Sequence, residues 1–217
     1  MIIALSNLKG GVGKTTLATN LAVAFALDGN SVCIVDTDKE QTSSIRWSEQ
    51  RDDDRPHIAV IAIGVDRLLR ETEHLSKKYD VIILDGSPNA SELAITTIMT
   101  SDVVLVPVSK SAYDFWAMNN FLEKFKQAKA FRNEIQAFIV LNKFNEKQNV
   151  AREVKEAIER DYADIPILQT VIHDRVAYTE TITEGLGVLE YKDKKAKDEI
   201  KRLYEEVNAL ILTPTNL

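Results

Sequence analysis

Lys9-Gly10-Gly11-Val12-Gly13-Lys14-Thr15-Thr16 follows the apolar run Ile2-Ile3-Ala4-Leu5 through the short link Ser6-Asn7-Leu8. A backbone that wraps a polyphosphate must aim several N–H groups inward. That needs the conformations and close approach that glycine permits, and Gly10, Gly11 and Gly13 supply them. A helix starting near Thr15 adds N-terminal donors and the positive end of its dipole. Lys14 can set its ammonium on the β and γ phosphates of ATP, and the Thr15 hydroxyl can complete an octahedral Mg²⁺ shell. Val12 and Thr16 complete the nucleotide-binding run. A glycine-rich turn before a helix is the plain alternative, and Gly-Lys-Thr between a buried strand and a helix argues against it.

Working outward, apolar runs of strand length alternate with helical periods. The runs are Ile2 to Leu5, Val32 to Val35, Ile58 to Ile63, Val81 to Leu84, Val103 to Val108 and Ala137 to Leu141, with a weaker one from Ile167 to Ile172. They are rich in Val and Ile and nearly continuously apolar, as strands buried on both faces of a parallel sheet are. Helices are expected over Thr15 to Leu27, Val65 to Lys77, Val150 to Tyr162 and Lys194 to Leu210. In the second of these, Val65, Leu68, Leu69 and Leu75 are placed on one face. The alternation predicts an α/β fold, a doubly wound and mostly parallel sheet with helices on both faces, of the P-loop NTPase type. The 217 residues fit one domain spanning 1–217.

Ligands in open α/β sheets sit beyond the carboxyl ends of strands. Val35-Asp36-Thr37-Asp38 and Ile83-Leu84-Asp85-Gly86 each end a predicted strand there. Asp85, closing the run from Val81, is placed to hold Mg²⁺ through a water. A turn or helix-cap role is the alternative for any strand-end Asp.

Composition excludes other classes. Cys33 is the only cysteine, so there is no disulfide framework and no Cys-based zinc site; it lies in an apolar run and reads as buried. His57, His74 and His173 have no metal-ligand spacing. No apolar stretch approaches the ~20 residues of a membrane span. The sequence opens with Met1-Ile2-Ile3-Ala4-Leu5 running directly into the phosphate loop, so no signal peptide and a cytoplasmic location are expected. The formal net charge of −6 means that any binding to DNA must use a local patch.

The phosphate loop departs from the standard G-x-x-x-x-G-K-[ST]: Leu8 stands where its first glycine would be, and Lys9 precedes the double glycine. The form K-G-G-x-G-K-[ST]-T is the deviant Walker A pattern, and the chain resembles the ParA/MinD family of ATPases. Tyr79 to Pro88 looks like that family's Walker B segment, and Ser101 to Val108, followed by Asp114-Phe115, like its next strand. Val140-Leu141-Asn142-Lys143-Phe144 and Thr170-Val171-Ile172 resemble the segments flanking the adenine. The resemblance implies that Lys9 reaches across a homodimer to the partner's ATP. It implies that Asp36 sits near the magnesium and that Asp38 orients the attacking water. Asn142 is the candidate base contact, with capping of its strand as the alternative, and the loop at His173 is expected to shape the adenine pocket. The family usually continues its D-x-D with Pro-Gln; here Lys39-Glu40-Gln41 follows, with one residue more.

Missing features narrow the branch. There are no paired cysteines for a bridging cluster, no tyrosine cluster at the tail, no basic amphipathic tail and no N-terminal helix-turn-helix. The compact ParA type remains, which partitions plasmids or spaces cargo along the nucleoid. This implies an ATP-driven dimer that binds nonspecific DNA, no membrane partner, and release by a ParB-like or other cargo-bound activator that stimulates hydrolysis. Candidate DNA-binding residues are Arg175, Lys192, Lys194, Lys195, Lys197, Lys201 and Arg202; a solvated helix face interleaved with Asp193, Asp198 and Glu199 is the alternative. Lys124, Lys126, Lys129 and Arg132 form a weaker stretch. A MinD-like membrane-associated regulator and a metabolic P-loop ligase are the rival readings.

Overall fold

The structure is a computed structural model that describes residues 1–38, 41–87, 91–110, 112–145 and 148–212; the side chains of 91–93, 112–116 and 211–212 fall outside that description. Lys39 and Glu40 of the altered segment, Pro88, the side chains of Asp114 and Phe115, and the tail 213–217 therefore lie outside the described residues.

Strands β1 (Ile2–Leu5), β2 (Val32–Asp36), β3 (Ile58–Ala62), β4 (Val81–Asp85), β5 (Val103–Val108), β6 (Gln136–Phe144) and β7 (Ile167–His173) form one sheet in the order β3-β2-β4-β1-β5-β6-β7. Every described pairing is parallel. Parallel neighbours need crossovers, and the helices supply them: α1 (Lys14–Leu27), α2 (Ser43–Glu49), α3 (Val65–Leu75), α4 (Ser91–Thr100), α5 (Ala112–Phe131), α6 (Asn149–Asp161), α7 (Val176–Thr183) and α8 (Lys194–Leu212). The order reverses around β1, which opens a crevice at the carboxyl end of the sheet beside β1 and β4.

Side chains alternate across each strand, so one run of residues feeds two cores. Ile3, Leu5, Ile34 and Ile83 face α1, α7 and α8, where Leu17, Leu21, Tyr178, Ile200, Leu203 and Val207 cover them. Ala4, Cys33, Ile82 and Leu84 face the other way, under Leu68 of α3, Ile98 of α4, Phe121 of α5 and Ile158 of α6. Cys33 is fully buried, as its apolar setting predicts. Helix α1 is apolar almost all round because it is buried against the sheet, α2 and α8 together. It leaves the loop through Gly13 (φ 93°) and stops where Gly29 (φ 89°) and Asn30 turn their N–H groups back onto Ala26 and Phe25.

Two side chains of α3 differ from expectation. Leu69 is 62% exposed and Val65 36%, while Leu68 is fully buried. The face toward the sheet runs through positions 68 and 72, and Thr72 fills the place expected of a leucine by donating to the Leu68 carbonyl. Leu69 lies ~100° round the helix from Leu68 and points away. Helices α2, α4, α5 and α7 have no counterpart among the helices expected from the sequence. Strand β6 runs to Phe144, past the expected end at Leu141.

Candidate active site

The register of the sheet brings the acidic residues together. Asp36 pairs with Asp85 across β2 and β4, and Leu5, at the root of the phosphate loop, pairs with Asp85 from the other side. Both carboxylates are buried. Asp85 Oδ2 accepts from Thr15 Oγ1 at 2.7 Å and from Ser44 Oγ at 2.6 Å. Asp85 Oδ1 is buried and, among the described residues, has no hydrogen-bond partner. Burial raises the Asp85 carboxyl to about 6, against the hydrogen bonds from Ser44 and Thr15; the Asp36 charge adds to the rise. Asp36 accepts the N–H of Asp38 on Oδ1 and the N–H of Ser44 on Oδ2, each at 3.0 Å. Burial still holds its pKa above the usual carboxylate range.

A buried acceptor without a donor, a second carboxylate beside it and a threonine hydroxyl make an all-oxygen set of the kind Mg²⁺ takes. Thr15, Asp36 and Asp85 therefore fit that ion. Burial of two carboxylates close together is what pushes both carboxyls upward, and for Asp85 the Lys14 charge offsets part of it.

Lys14 lies under the loop. Its ammonium donates to the carbonyls of Asn7 at 3.0 Å and Lys9 at 2.8 Å. Burial lowers its pKa, while the charges of Asp85 and Asp38 work against that. Asn7 pins the root of the loop, donating from Nδ2 to the Pro107 carbonyl at 2.7 Å and accepting the Lys9 N–H on Oδ1 at 2.9 Å. The result is a cavity of about 310 Å³ lined by Gly10, Gly11, Gly13, Lys14, Thr15, Thr16, Asp36, Asp38 and Asp85, with Gln41, Ser43, Gly86 and Lys143. Asp38 is half-buried there and accepts the Gln41 N–H at 3.0 Å. Val12 is buried behind the loop, and Lys9 is half-buried beside it.

Asn142 and His173 are placed differently from each other. Asn142 is buried at the back of the loop, and its Nδ2 donates to the Val12 carbonyl at 2.7 Å. His173 lines a neighbouring cavity of about 550 Å³ with Lys110, Phe144, Asn145, Gln148, Asp174 and Arg175. Its Nδ1 lies 2.8 Å from Glu199 Oε1. Arg175 donates to that same oxygen from Nε at 2.9 Å and Nη2 at 2.5 Å, and the Tyr178 hydroxyl donates to Glu199 Oε2 at 3.0 Å. Arg175 is thus engaged with a buried glutamate. Lys194, Lys195 and Lys201 are exposed on α8, Lys197 is half-exposed, and Lys201 lies 4.0 Å from Glu205. In the weaker stretch on α5, Arg132 is tied to Asp102 and to the carbonyls of Met99 and Ser101. A larger cavity, about 590 Å³ between β3 and α3, holds none of these acidic or loop residues.

Ser44 and Lys143 act at the site although the sequence assigns them no role. Ser44 bonds both buried carboxylates, one through its hydroxyl and one through its N–H; the hydroxyl run Thr42-Ser43-Ser44 is the only signal of it. Lys143 reaches the cavity from β6, and its signal is a pair of polar residues at the end of an apolar strand.

Comparison with known proteins agrees with this geometry. The profile of the CobQ/CobB/MinD/ParA nucleotide binding domain matches residues 3–188. The maintenance of carboxysome distribution protein A of Halothiobacillus neapolitanus is 28% identical over 211 residues, covering 94% of this chain and 95% of that protein. The chromosome-partitioning ATPase Soj of Thermus thermophilus is 25% identical, with 96% of each chain covered. Among solved structures, the septum site-determining protein MinD of Pyrococcus horikoshii, complexed with Mg-ADP, has the same fold (TM-score 0.71, 19% identity, 100% of this chain and 99% of that one). With a phosphate loop, paired strand-end carboxylates and a family profile that spans most of its length, the chain belongs to the CobQ/CobB/MinD/ParA nucleotide-binding domain family and is a P-loop ATPase of the ParA/MinD partition or positioning type.

Proposed function

We propose that the chain is a compact ParA-type switch: it binds ATP and Mg²⁺, closes into a face-to-face homodimer, holds nonspecific DNA in that state, and lets go when a cargo-bound partner stimulates hydrolysis. The observation that carries the reading is a single cavity where Lys14, Thr15, Asp36, Asp38 and Asp85 converge, with Lys9 at its side. Mg²⁺ would neutralise charge on the β and γ phosphates there. Thr15, Asp36 and Asp85 hold the ion, and Ser44 keeps Asp85 and Asp36 in place. Lys14 supplies the charge that meets the phosphates, held ready by two loop carbonyls. Asp38 orients the attacking water, a role that typically contributes ~10²–10⁴-fold in rate. The base occupies the neighbouring cavity by His173, with Asn142 between base and loop. Lys9 serves the nucleotide of the second copy.

The name of the carboxysome-distribution relative supports a cargo-positioning role, and that of the partitioning relative a DNA-segregating one. Lys194, Lys195, Lys197 and Lys201 on α8 are the proposed DNA contacts, with Arg175 fixing the loop beside them through Glu199. A dimer doubles those contacts, so the salt slope steepens by about 0.9 per added phosphate on duplex DNA.

Fluorescence anisotropy with random duplexes across a salt series tests this. Binding should appear with ATP and not with ADP, and Lys194→Glu, Lys195→Glu and Lys197→Glu combined should weaken it about equally on any sequence. Equal affinity with both nucleotides, or association with liposomes in place of DNA, overturns the DNA-switch reading.

A further inference from the structure

The end of β6 breaks its register with β7. Asn142 pairs with Ile172 and Phe144 with His173, so Lys143 is an extra residue on β6. Its φ is 55°, in the left-handed region that a lysine seldom enters. In a regular strand, consecutive side chains point to opposite faces. The bulge sets that alternation aside, and Asn142 and Lys143 both reach the phosphate loop. Asn142 Nδ2 donates to the Val12 carbonyl at 2.7 Å, and Lys143 Nζ donates to the Gly11 carbonyl at 2.9 Å.

These two carbonyls belong to successive peptides. A trans peptide is planar, with its C=O and the following N–H pointing in opposite directions. Drawing the Gly11 oxygen toward Lys143 turns the Val12 N–H away from β6. Drawing the Val12 oxygen toward Asn142 does the same for the Gly13 N–H. Gly11 (φ 77°) and Gly13 (φ 93°) tolerate the required backbone. Gly13 is also forced by contact, since a Cβ there would collide with Asn142 Nδ2.

We propose that Asn142 and Lys143 form a brace, mounted on the β6 bulge, that holds the Gly11 and Val12 peptides in the orientation a polyphosphate needs; Lys143 is a positioning residue for the nucleotide. The inference rests on the cavity being the polyphosphate site. Backbone strain at Lys143 is the trace of this role, because the left-handed turn serves to aim the side chain. A charge-assisted hydrogen bond of this kind is worth enough for ~10-fold in affinity.

Titration calorimetry with ADP and with ATP, alongside thermal melting, tests the brace. Lys143→Met should weaken both nucleotides about tenfold, and Lys143→Arg should recover most of that loss. Lys143→Gly should weaken nucleotide binding similarly while melting no lower than wild type, because glycine accepts the left-handed turn; a residue kept only for packing would show the reverse. If Lys143→Met lowers the folded fraction, the Lys143→Gly measurement stands on its own. Lys14→Ala is the control for the site itself. Normal affinity in Lys143→Met and Lys143→Gly while Lys14→Ala has lost binding overturns the brace and leaves the phosphate site standing. Normal affinity in Lys14→Ala as well overturns both.

Discussion

Asp85 is the residue whose chemistry is most exposed to experiment. Its carboxyl is raised to about 6 from an ordinary 3.8, chiefly by burial. Between those values the folded protein holds a proton that the unfolded chain has released. Stability contributed by this group is therefore highest at low pH and falls as pH rises through that window. Asp85→Asn removes the ionisation and should stabilise the metal-free protein at pH 7, by up to about 3 kcal/mol. The same variant should lose most of its Mg²⁺ response, and in wild type that response should strengthen as pH climbs past about 6. Denaturant titrations from pH 4 to pH 8, with and without Mg²⁺, check both; a metal-free Asp85→Asn less stable than wild type at pH 7 would show that the carboxylate is matched by its neighbours. At this scale the sequence was informative for one reason: glycine, lysine, threonine and aspartate at fixed offsets leave few alternatives. The contributions of Ser44 and Lys143 were not legible. Ser44 acts because α2 brings it back over β4, and Lys143 because a bulge turns it, and neither follows from residue type.

Among the elements, α8 and the segment entering α7 are joined through one buried side chain. Glu199 takes bonds from His173, Arg175 and Tyr178, so the rim of the cavity by His173 is anchored to the helix that carries the lysines. Burial would raise the Glu199 pKa, but the bonds from Arg175, from the His173 backbone and from Tyr178 outweigh it and leave it below 4.5. A lowered carboxylate contributes stability that is complete above 4.5 and fades as pH falls through the folded value. Glu199→Gln should cost on the order of 1–3 kcal/mol at neutral pH, because the partly exposed Arg175 loses its counter-charge. The gap from wild type should close as pH falls below 4.5; a gap of constant size in urea denaturation across that range would count against the ion pair. Elements with clear periods were readable: all seven strands, and α1, α3, α6 and α8. Three of the other four were hidden for physical reasons. Helix α2 is short, with Trp47 as its main apolar anchor, and α4 and α7 interleave threonines with their apolar residues so that no stripe stands out. On α3 the stripe itself misled, since Thr72 rather than Leu69 faces the sheet.

For the whole molecule, the decisive question is whether two copies meet over ATP. Each chain carries −6, so two copies repel at long range and contacts at the interface must offset that repulsion. Salt should then act with opposite signs on the two proposed steps. It screens the repulsion between chains and should favour dimerisation, while it weakens DNA binding by reducing the gain from counterion release. The loop geometry makes a clean separation of roles possible. Lys14 is held by the carbonyl of Lys9, and Lys9 is tied to Asn7 through its N–H, so both of these bonds are made by the main chain of Lys9. Lys9→Ala leaves them available and removes only the side chain. It should bind ADP as wild type does, yet fail to associate with Mg-ATP. Asp38→Ala should associate with Mg-ATP and remain associated, with hydrolysis slower by ~10²-fold or more. Multi-angle light scattering, with phosphate release followed in parallel, distinguishes the two. Mg-ATP dimers of Lys9→Ala as abundant as those of wild type would remove the trans role from Lys9 and return the chain to an ATPase that works within one copy.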